Sequence, residues 1–216
     1  MSANNVETLS IRTSTHGRVL VRQAQQPAPI GVLAGFHGYM ENAPIQMARL
    51  TAIPGSGAWT LIAIQGLHRF YRGRAEEVVA SWMTREDRED AIVDNIEYAS
   101  AAFDAVIGDI HRSIVCVGFS QGVATAFRAG MRGPRRTAGI VAVGGDIPPE
   151  LLADAHAEFP RVLLLRGARD DWYTEAKLSA DVAALGRRGV TPQVHTYDGA
   201  HEWTTDVAAH IAAFVS

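Results

Sequence analysis

At 216 residues and a formal net charge of -3, the chain is long enough to bury one sizeable α/β core and too short for two, and it lacks the basic field that a nucleic-acid or anionic-membrane partner would require. Composition is that of an ordinary globular protein, 47% hydrophobic and 20% charged, and no apolar run approaches the roughly 20 residues needed to span a bilayer. The single cysteine, Cys116, excludes an internal disulfide and a cysteine metal cluster, and within its apolar run it reads as a small buried hydrophobe.

Met1 to Glu7 shows no basic region followed by an apolar core, so no secretory signal is expected and the chain reads as a cytoplasmic protein. Val6 to Ile11 and Arg18 to Gln23 alternate apolar and polar residues around Ser14-Thr15-His16-Gly17, which predicts a half-exposed hairpin at a sheet edge. After Pro27 and Pro29, the continuous apolar run Ile30 to Phe36 reads as a strand buried on both faces, ending in His37-Gly38-Tyr39-Met40-Glu41-Asn42. A short helix is expected over Ala43 to Thr51, then a turn at Pro54-Gly55-Ser56-Gly57 and a buried strand from Trp59 to Ile64. Gln65 to Met83 holds no sustained period. Thr84-Arg85-Glu86-Asp87 resembles a capping box that opens a helix, whose inner stripe is Ile92, Val93, Ile96, Ala99, Phe103 and Val106 and whose close is Gly108.

Ser113 to Val117 is a β-branched run of strand length, and Val123 to about Met131 reads as a small-residue helix. A strand over Ala138 to Val143, a helix over Leu151 to Ala157 and a strand over Arg161 to Arg166 follow. Thr174 to Leu185 is a helix, Gln193 to Tyr197 the last strand, and Val207, Ile211 and Phe214 mark the inner face of a final helix. The count is eight strands, alternating with helices after the hairpin, in one domain over 1–216. That pattern predicts an α/β fold: a mostly parallel sheet with helices on both faces. Ligands bind such sheets beyond the carboxyl ends of the strands, so the loops that follow strands carry the chemistry.

Between strand and helix lies Gly118-Phe119-Ser120-Gln121-Gly122, a G-x-S-x-G nucleophile elbow in its required context. The chain must turn sharply there, the serine is held in a strained conformation, and glycine at both flanks removes side chains that would collide. A serine needs a base. Of the eight histidines, His16, His111, His156, His195 and His210 fall in the hairpin, before a strand, on helices or inside a strand. His37, His68 and His201 follow strands, and His201, in the turn after the last strand, is the candidate base. The acid that orients the imidazole is Asp170, preferred to the adjacent Asp171; Asp146 reads as a solvated or capping carboxylate. The order Ser, Asp, His is the one this kind of elbow uses. The oxyanion donors expected are the backbone N–H groups of Gln121, just after the serine, and Tyr39, after the third strand.

Phe36-His37-Gly38-Tyr39, Gly118-Phe119-Ser120-Gln121-Gly122, Gly167-Ala168-Arg169-Asp170 and Gly199-Ala200-His201 together resemble the phospholipase/carboxylesterase family of α/β-hydrolases, which includes acyl-protein thioesterases and small bacterial carboxylesterases. The resemblance spans the chain from about Ile30 onward. It implies the α/β-hydrolase fold, hydrolysis of a small-molecule ester or thioester through an acyl-enzyme, no metal and no cofactor. It also implies a triad of Ser120, Asp170 and His201 with oxyanion donors Tyr39 and Gln121. Peptidase, perhydrolase and inactive binding-module readings share the same residues, and the oligomeric state stays open, a homodimer included. Three departures stand out: Val123 replaces a second glycine, Asp171-Trp172-Tyr173 replaces a proline and an apolar pair, and residues 66–82 lack the family's proline-rich substrate loop. Residues 66–83 follow a strand and so face the site as a lid or substrate loop. Phe70 and Trp82, with Tyr71, Val78 and Val79, are expected to line an acyl tunnel, and Arg69, Arg72 and Arg74 to meet an anionic group, unless the segment is a lid packed by its own aromatics. Trp172 and Trp203, beside the acid and the base, are further candidate walls.

Overall fold

The computed structural model describes residues 6–74, 76–107 and 113–216. The expected helix close at Gly108, and His111, lie outside the described residues, as does the start of the N-terminal stretch read for a signal. Seven strands form one sheet: β1 (Arg18–Arg22), β2 (Gly31–Phe36), β3 (Thr60–Gln65), β6 (Ser113–Phe119), β7 (Thr137–Val143), β8 (Arg161–Gly167) and β9 (Gln193–Tyr197). Their spatial order is β1-β3-β2-β6-β7-β8-β9. Within this sheet only β1 runs antiparallel to its neighbour, β3; every other pairing is parallel.

The strands are short apolar runs because both faces of the sheet are covered. Val32, Ala34 and Phe36 of β2 point to one side, joined by Ile62, Ile64, Ile114 and Cys116. Helices α2 (Arg88–Ile107), α3 (Gln121–Arg132), α4 (Pro149–Ala153) and α5 (Glu175–Arg187) close over that face with Phe103, Phe127, Leu151 and Leu178. Leu33, Leu61, Val115 and Val117 point to the other side, under α1 (Ala43–Thr51) and α6 (Thr205–Val215), which contribute Leu50, Ile211 and Phe214.

The structure corrects the expected strand count. The first arm of the predicted hairpin, Val6 to Ile11, forms no strand. It runs beside α2, tied there by Ser10 to Asp90 (2.5 Å) and, just after it, by Arg12 to Glu97. Its apolar side chains Val6, Leu9 and Ile11 stay exposed, so nothing recruits the segment into the sheet beside β1. Conversely, the aperiodic stretch after β3 contains a two-stranded antiparallel hairpin, β4 (His68–Tyr71) with β5 (Val78–Ser81). Thr84 does not cap the long helix. Its Oγ1 accepts from the Glu86 N–H (3.2 Å), Asp87 adopts φ 47°, and α2 begins at Arg88. Within α2, Val93 is exposed and Asn95 takes a buried place on the inner stripe, donating to the Trp82 carbonyl at 2.8 Å. Helix α4 ends at Ala153, so His156 falls in the following loop.

His37, at the carboxyl end of β2, is fully buried and welds three segments together. The Gly66 N–H donates to Nε2 at 2.9 Å, so the ring proton sits on Nδ1, which donates to the Gly38 carbonyl at 2.7 Å. The His37 carbonyl accepts from Trp82 Nε1 at 2.8 Å. Burial pushes the imidazole pKa down, against smaller upward pulls from the Gly38 carbonyl and Glu41. The folded state thus excludes a proton that the unfolded chain takes up near pH ~6.5, and the stability this site contributes is lost as pH falls through that value toward the lowered folded one. Urea unfolding at pH 7.5 and 5.5 is expected to show a smaller pH-dependent loss in His37→Gln than in the wild type.

Candidate active site

The carboxyl ends of β2, β6, β8 and β9 lie along one edge of the sheet, and the loop after each delivers one part of the site. After β6 the chain turns directly into α3. Ser120, at the corner, holds φ 51° and ψ -120°, a region that costs a non-glycine residue about 1–3 kcal/mol. The surroundings enforce it: the Ser120 N–H donates to the Val143 carbonyl on β7 at 2.9 Å, and the Val123 N–H donates to the Ser120 carbonyl at 3.0 Å. Gly122 is required by close approach, since a Cβ there would lie 2.2 Å from the Phe36 carbonyl oxygen. That contact seats the first turn of α3 against the end of β2.

Asp170 follows β8 and His201 follows β9. The two loops are stitched together, Ala168 N–H to the Tyr197 carbonyl and Arg169 N–H to the Gly199 carbonyl, both at 2.8 Å. The Asp170 carboxylate is fully buried. Its Oδ1 accepts from the Trp172 and Tyr173 N–H groups, each at 2.8 Å, and its Oδ2 lies 2.9 Å from His201 Nδ1. His201 Nε2 lies 2.8 Å from Ser120 Oγ. With the carboxylate as acceptor, Nδ1 carries the proton and the Nε2 lone pair faces the hydroxyl. Asp171 is exposed and contacts none of these groups, while Asp146 pairs with Lys177 at 3.1 Å.

Several supports were not legible in the sequence. Gly144, at φ 62°, passes beneath the pair: a Cβ there would come within 3.1 Å of His201 Cε1 and 3.2 Å of Asp170 Oδ2. Tyr173, besides holding Asp170 through its N–H, donates its hydroxyl to Asp181 Oδ2 at 2.8 Å; burial pushes the Asp181 carboxyl up from its usual range. Phe119 packs its ring 5.2 Å from that of His201.

The backbone N–H groups of Tyr39 and Gln121 bond to no described residue. The Gln121 N–H is one of the orphan donors of a helix N-terminus. The Gln121 side chain is turned the other way, donating to the Met83 carbonyl at 2.9 Å and accepting from the Trp82 N–H at 3.1 Å. In the loop after β2, Met40 adopts φ 59°. Its N–H donates to the Ala80 carbonyl at 3.1 Å and its carbonyl accepts from Arg72 at 2.5 Å. The Gly38 N–H donates to Glu41 Oε2 at 2.8 Å.

The expected substrate walls separate into two groups. Tyr39, 55% exposed, lies 6.1 Å from the half-buried Phe70, and Trp172, 74% exposed, lies 6.5 Å from His201. Trp203 is half-buried against Phe119 at 6.4 Å. Trp82, by contrast, is fully buried. It lines no open surface; its ring packs on His37 and Phe36, where its size fills the core. Val79 is likewise buried, whereas Tyr71 and Val78 are exposed. Arg69 and Arg72 donate to the carbonyls of His16 and Met40, and Arg74 is exposed without a partner among the described residues. His68 is exposed on β4. The described residues contain no group of three or more histidine, cysteine or acidic side chains able to hold a metal, and no helix among them is long and apolar enough to cross a membrane.

No protein-family model matches this chain, and no curated protein matches it by sequence. Solved structures do match. Esterase PE8 superposes with a TM-score of 0.71 at 24% identity, covering 93% of this chain and 98% of its own. Acyl-protein thioesterase 2 of Zea mays gives 0.72 at 16% identity, with the same coverage. The carboxylesterase of Bacillus cereus gives 0.68 at 16%, covering 92% and 93%. At these identities the likeness is one of architecture: the chain has the α/β-hydrolase fold.

Proposed function

We propose that this protein is a serine hydrolase that cleaves carboxylic esters or thioesters through an acyl-enzyme. The observation that carries this reading is the unbroken path from Ser120 Oγ through His201 to Asp170, with 2.8 and 2.9 Å links and the carboxylate fully buried. The esterase and thioesterase names of the structural neighbours support the same substrate class.

In the proposed reaction Ser120 Oγ attacks the carbonyl carbon while its proton passes to His201 Nε2. The negative charge developing on the carbonyl oxygen is met by the Gln121 and Tyr39 N–H groups, both without other partners among the described residues. Collapse of the tetrahedral intermediate expels the alkoxide or thiolate, which takes the proton from Nε2. Water then attacks the acyl-serine with the same imidazole as base, and the carboxylic acid leaves with Ser120 restored. Asp170 keeps the proton on Nδ1 and stabilises the imidazolium. The exposed rings of Tyr39 and Trp172, with Phe70 on the β4–β5 hairpin, form a shallow aromatic rim for the substrate. Trp203 adds a wall behind the base.

Turnover of p-nitrophenyl butyrate tests the assignment. Ser120→Ala is expected to lose at least roughly 10³-fold in kcat, and a fluorophosphonate probe to label the wild type at Ser120. A folded wild type that neither labels nor turns over is a binding module instead, and a panel with amides and peroxide separates peptidase and perhydrolase activity. For the acid, Asp170→Asn is expected to cost about 10⁴-fold, because the wrong tautomer is then favoured, while the exposed Asp171→Asn stays near the wild-type rate. A larger loss from Asp171→Asn would move the role.

A further inference from the structure

We propose that Glu41 and Arg49 act together as positioning residues for the oxyanion loop, holding the Tyr39 N–H where it meets the developing charge and tying that loop to the platform behind His201. This rests on the hydrolase reading above and adds a second layer to it.

The geometry begins with one peptide unit. The Gly38 carbonyl and the Tyr39 N–H belong to the same planar trans amide and point in opposite directions. Whatever fixes the carbonyl aims the N–H. His37 Nδ1 donates to that carbonyl at 2.7 Å, and the Glu41 N–H does so at 3.3 Å. The preceding amide is fixed from the other side, Gly38 N–H to Glu41 Oε2 at 2.8 Å. Glu41 therefore grips Gly38 through both its backbone and its carboxylate.

Arg49, on the second turn of α1, holds that carboxylate with its full fork: Nη1 to Oε2 at 2.6 Å and Nη2 to Oε1 at 2.7 Å. Both side chains are largely shielded, at 15% and 17% exposure. The guanidinium carbon also lies over the Phe119 ring, 4.2 Å from its centre, and 5.5 Å from the centre of the Trp203 ring. Phe119 immediately precedes Ser120 and packs 5.2 Å from the His201 ring. One guanidinium thus touches the brace of the oxyanion loop, the residue before the nucleophile and the packing behind the base. A shielded ion pair is a weak source of stability, since a well-packed apolar pair usually serves as well. Here its polarity is used on a single main-chain N–H beside the site, and a lysine would lack both the fork and the flat face that stacks.

Three variants and one inhibitor test this. Glu41→Leu removes the acceptor, Glu41→Gln keeps a carbonyl oxygen for Gly38, and Arg49→Met removes the fork at similar length. Active sites are titrated with the fluorophosphonate so that kcat is per competent site. Displaced donors are expected to lower kcat about 10–100-fold in Glu41→Leu and Arg49→Met with KM within about threefold, and Glu41→Gln to stay within about fivefold of wild type. An alkyl trifluoromethyl ketone, to which Ser120 Oγ adds with its proton passing to His201, places an oxyanion in the same hole. Its Ki is expected to rise by the same factor as kcat falls, which a merely structural role would not produce. The inference is overturned if Glu41→Gln loses as much as Glu41→Leu, if the loss appears in KM, or if the ketone binds all variants alike. Should Glu41→Leu not fold, Arg49→Met decides the question by the same two readouts. An inert, unlabelled wild type overturns the hydrolase reading and this inference with it; an active wild type with unchanged variants overturns this inference alone.

Discussion

The hydrogen bond between Asp170 Oδ2 and His201 Nδ1 is the contact on which the proposed chemistry of this molecule depends, and the sheet is what makes it possible. A carboxylate with no exposed surface must recover the hydration it has lost. Asp170 does so from three sides, with two backbone N–H groups on Oδ1 and the imidazole on Oδ2. The first two come from its own loop, so the direction of Oδ2 is set locally. The third comes from 31 residues away, and it arrives because β8 and β9 pair in parallel with Gly167 opposite Tyr197. The loops that leave those two residues then run side by side and cross-link through main-chain bonds. A shift of that register would carry the imidazole away from both its partners.

Around this contact the buried and half-buried polar side chains are spent on main-chain groups rather than only on each other. His37, Glu41, Trp82, Asn95 and Gln121 each bond a backbone N–H or carbonyl of a segment that borders the site. Donors held in place before the reaction need no reorganisation during it, which is what makes electrostatic stabilisation of a transition state effective. The left-handed backbone of Ser120 and Met40 fits the same pattern. Both residues sit beside the proposed oxyanion donors, and both are pinned by bonds from neighbouring strands, so that the fold supports conformations the residues would not choose.

The outer surface of the site is built differently. Tyr39 and Trp172 stand open, with the half-buried Phe70 beside Tyr39, while the arginines read as anion ligands are divided in their use. Arg69 and Arg72 close carbonyls of the N-terminal segment and of the loop after β2; Arg74 remains exposed.

The α/β architecture, the existence and order of the helices though not all of their ends, and the candidate nucleophile, base and acid were legible in the residue pattern, because buried parallel strands are short continuous apolar runs and the elbow carries a local steric demand for glycine. Local rules failed where long-range packing set the outcome. Val6 to Ile11 alternates like a strand yet pairs with no strand among the described residues; the stretch after β3 has no period yet pairs with itself; Trp82 looks like a substrate wall yet fills the core. Residue type, and the strand that each residue follows, depend on local pattern alone, and they were enough to single out Ser120, His201 and an acid at 170 or 171. Asp170 was already preferred to Asp171 in the sequence; the contacts that Gly144, Glu41 and Arg49 make emerged with the folded chain, because they lie in distances between segments that are remote along the sequence.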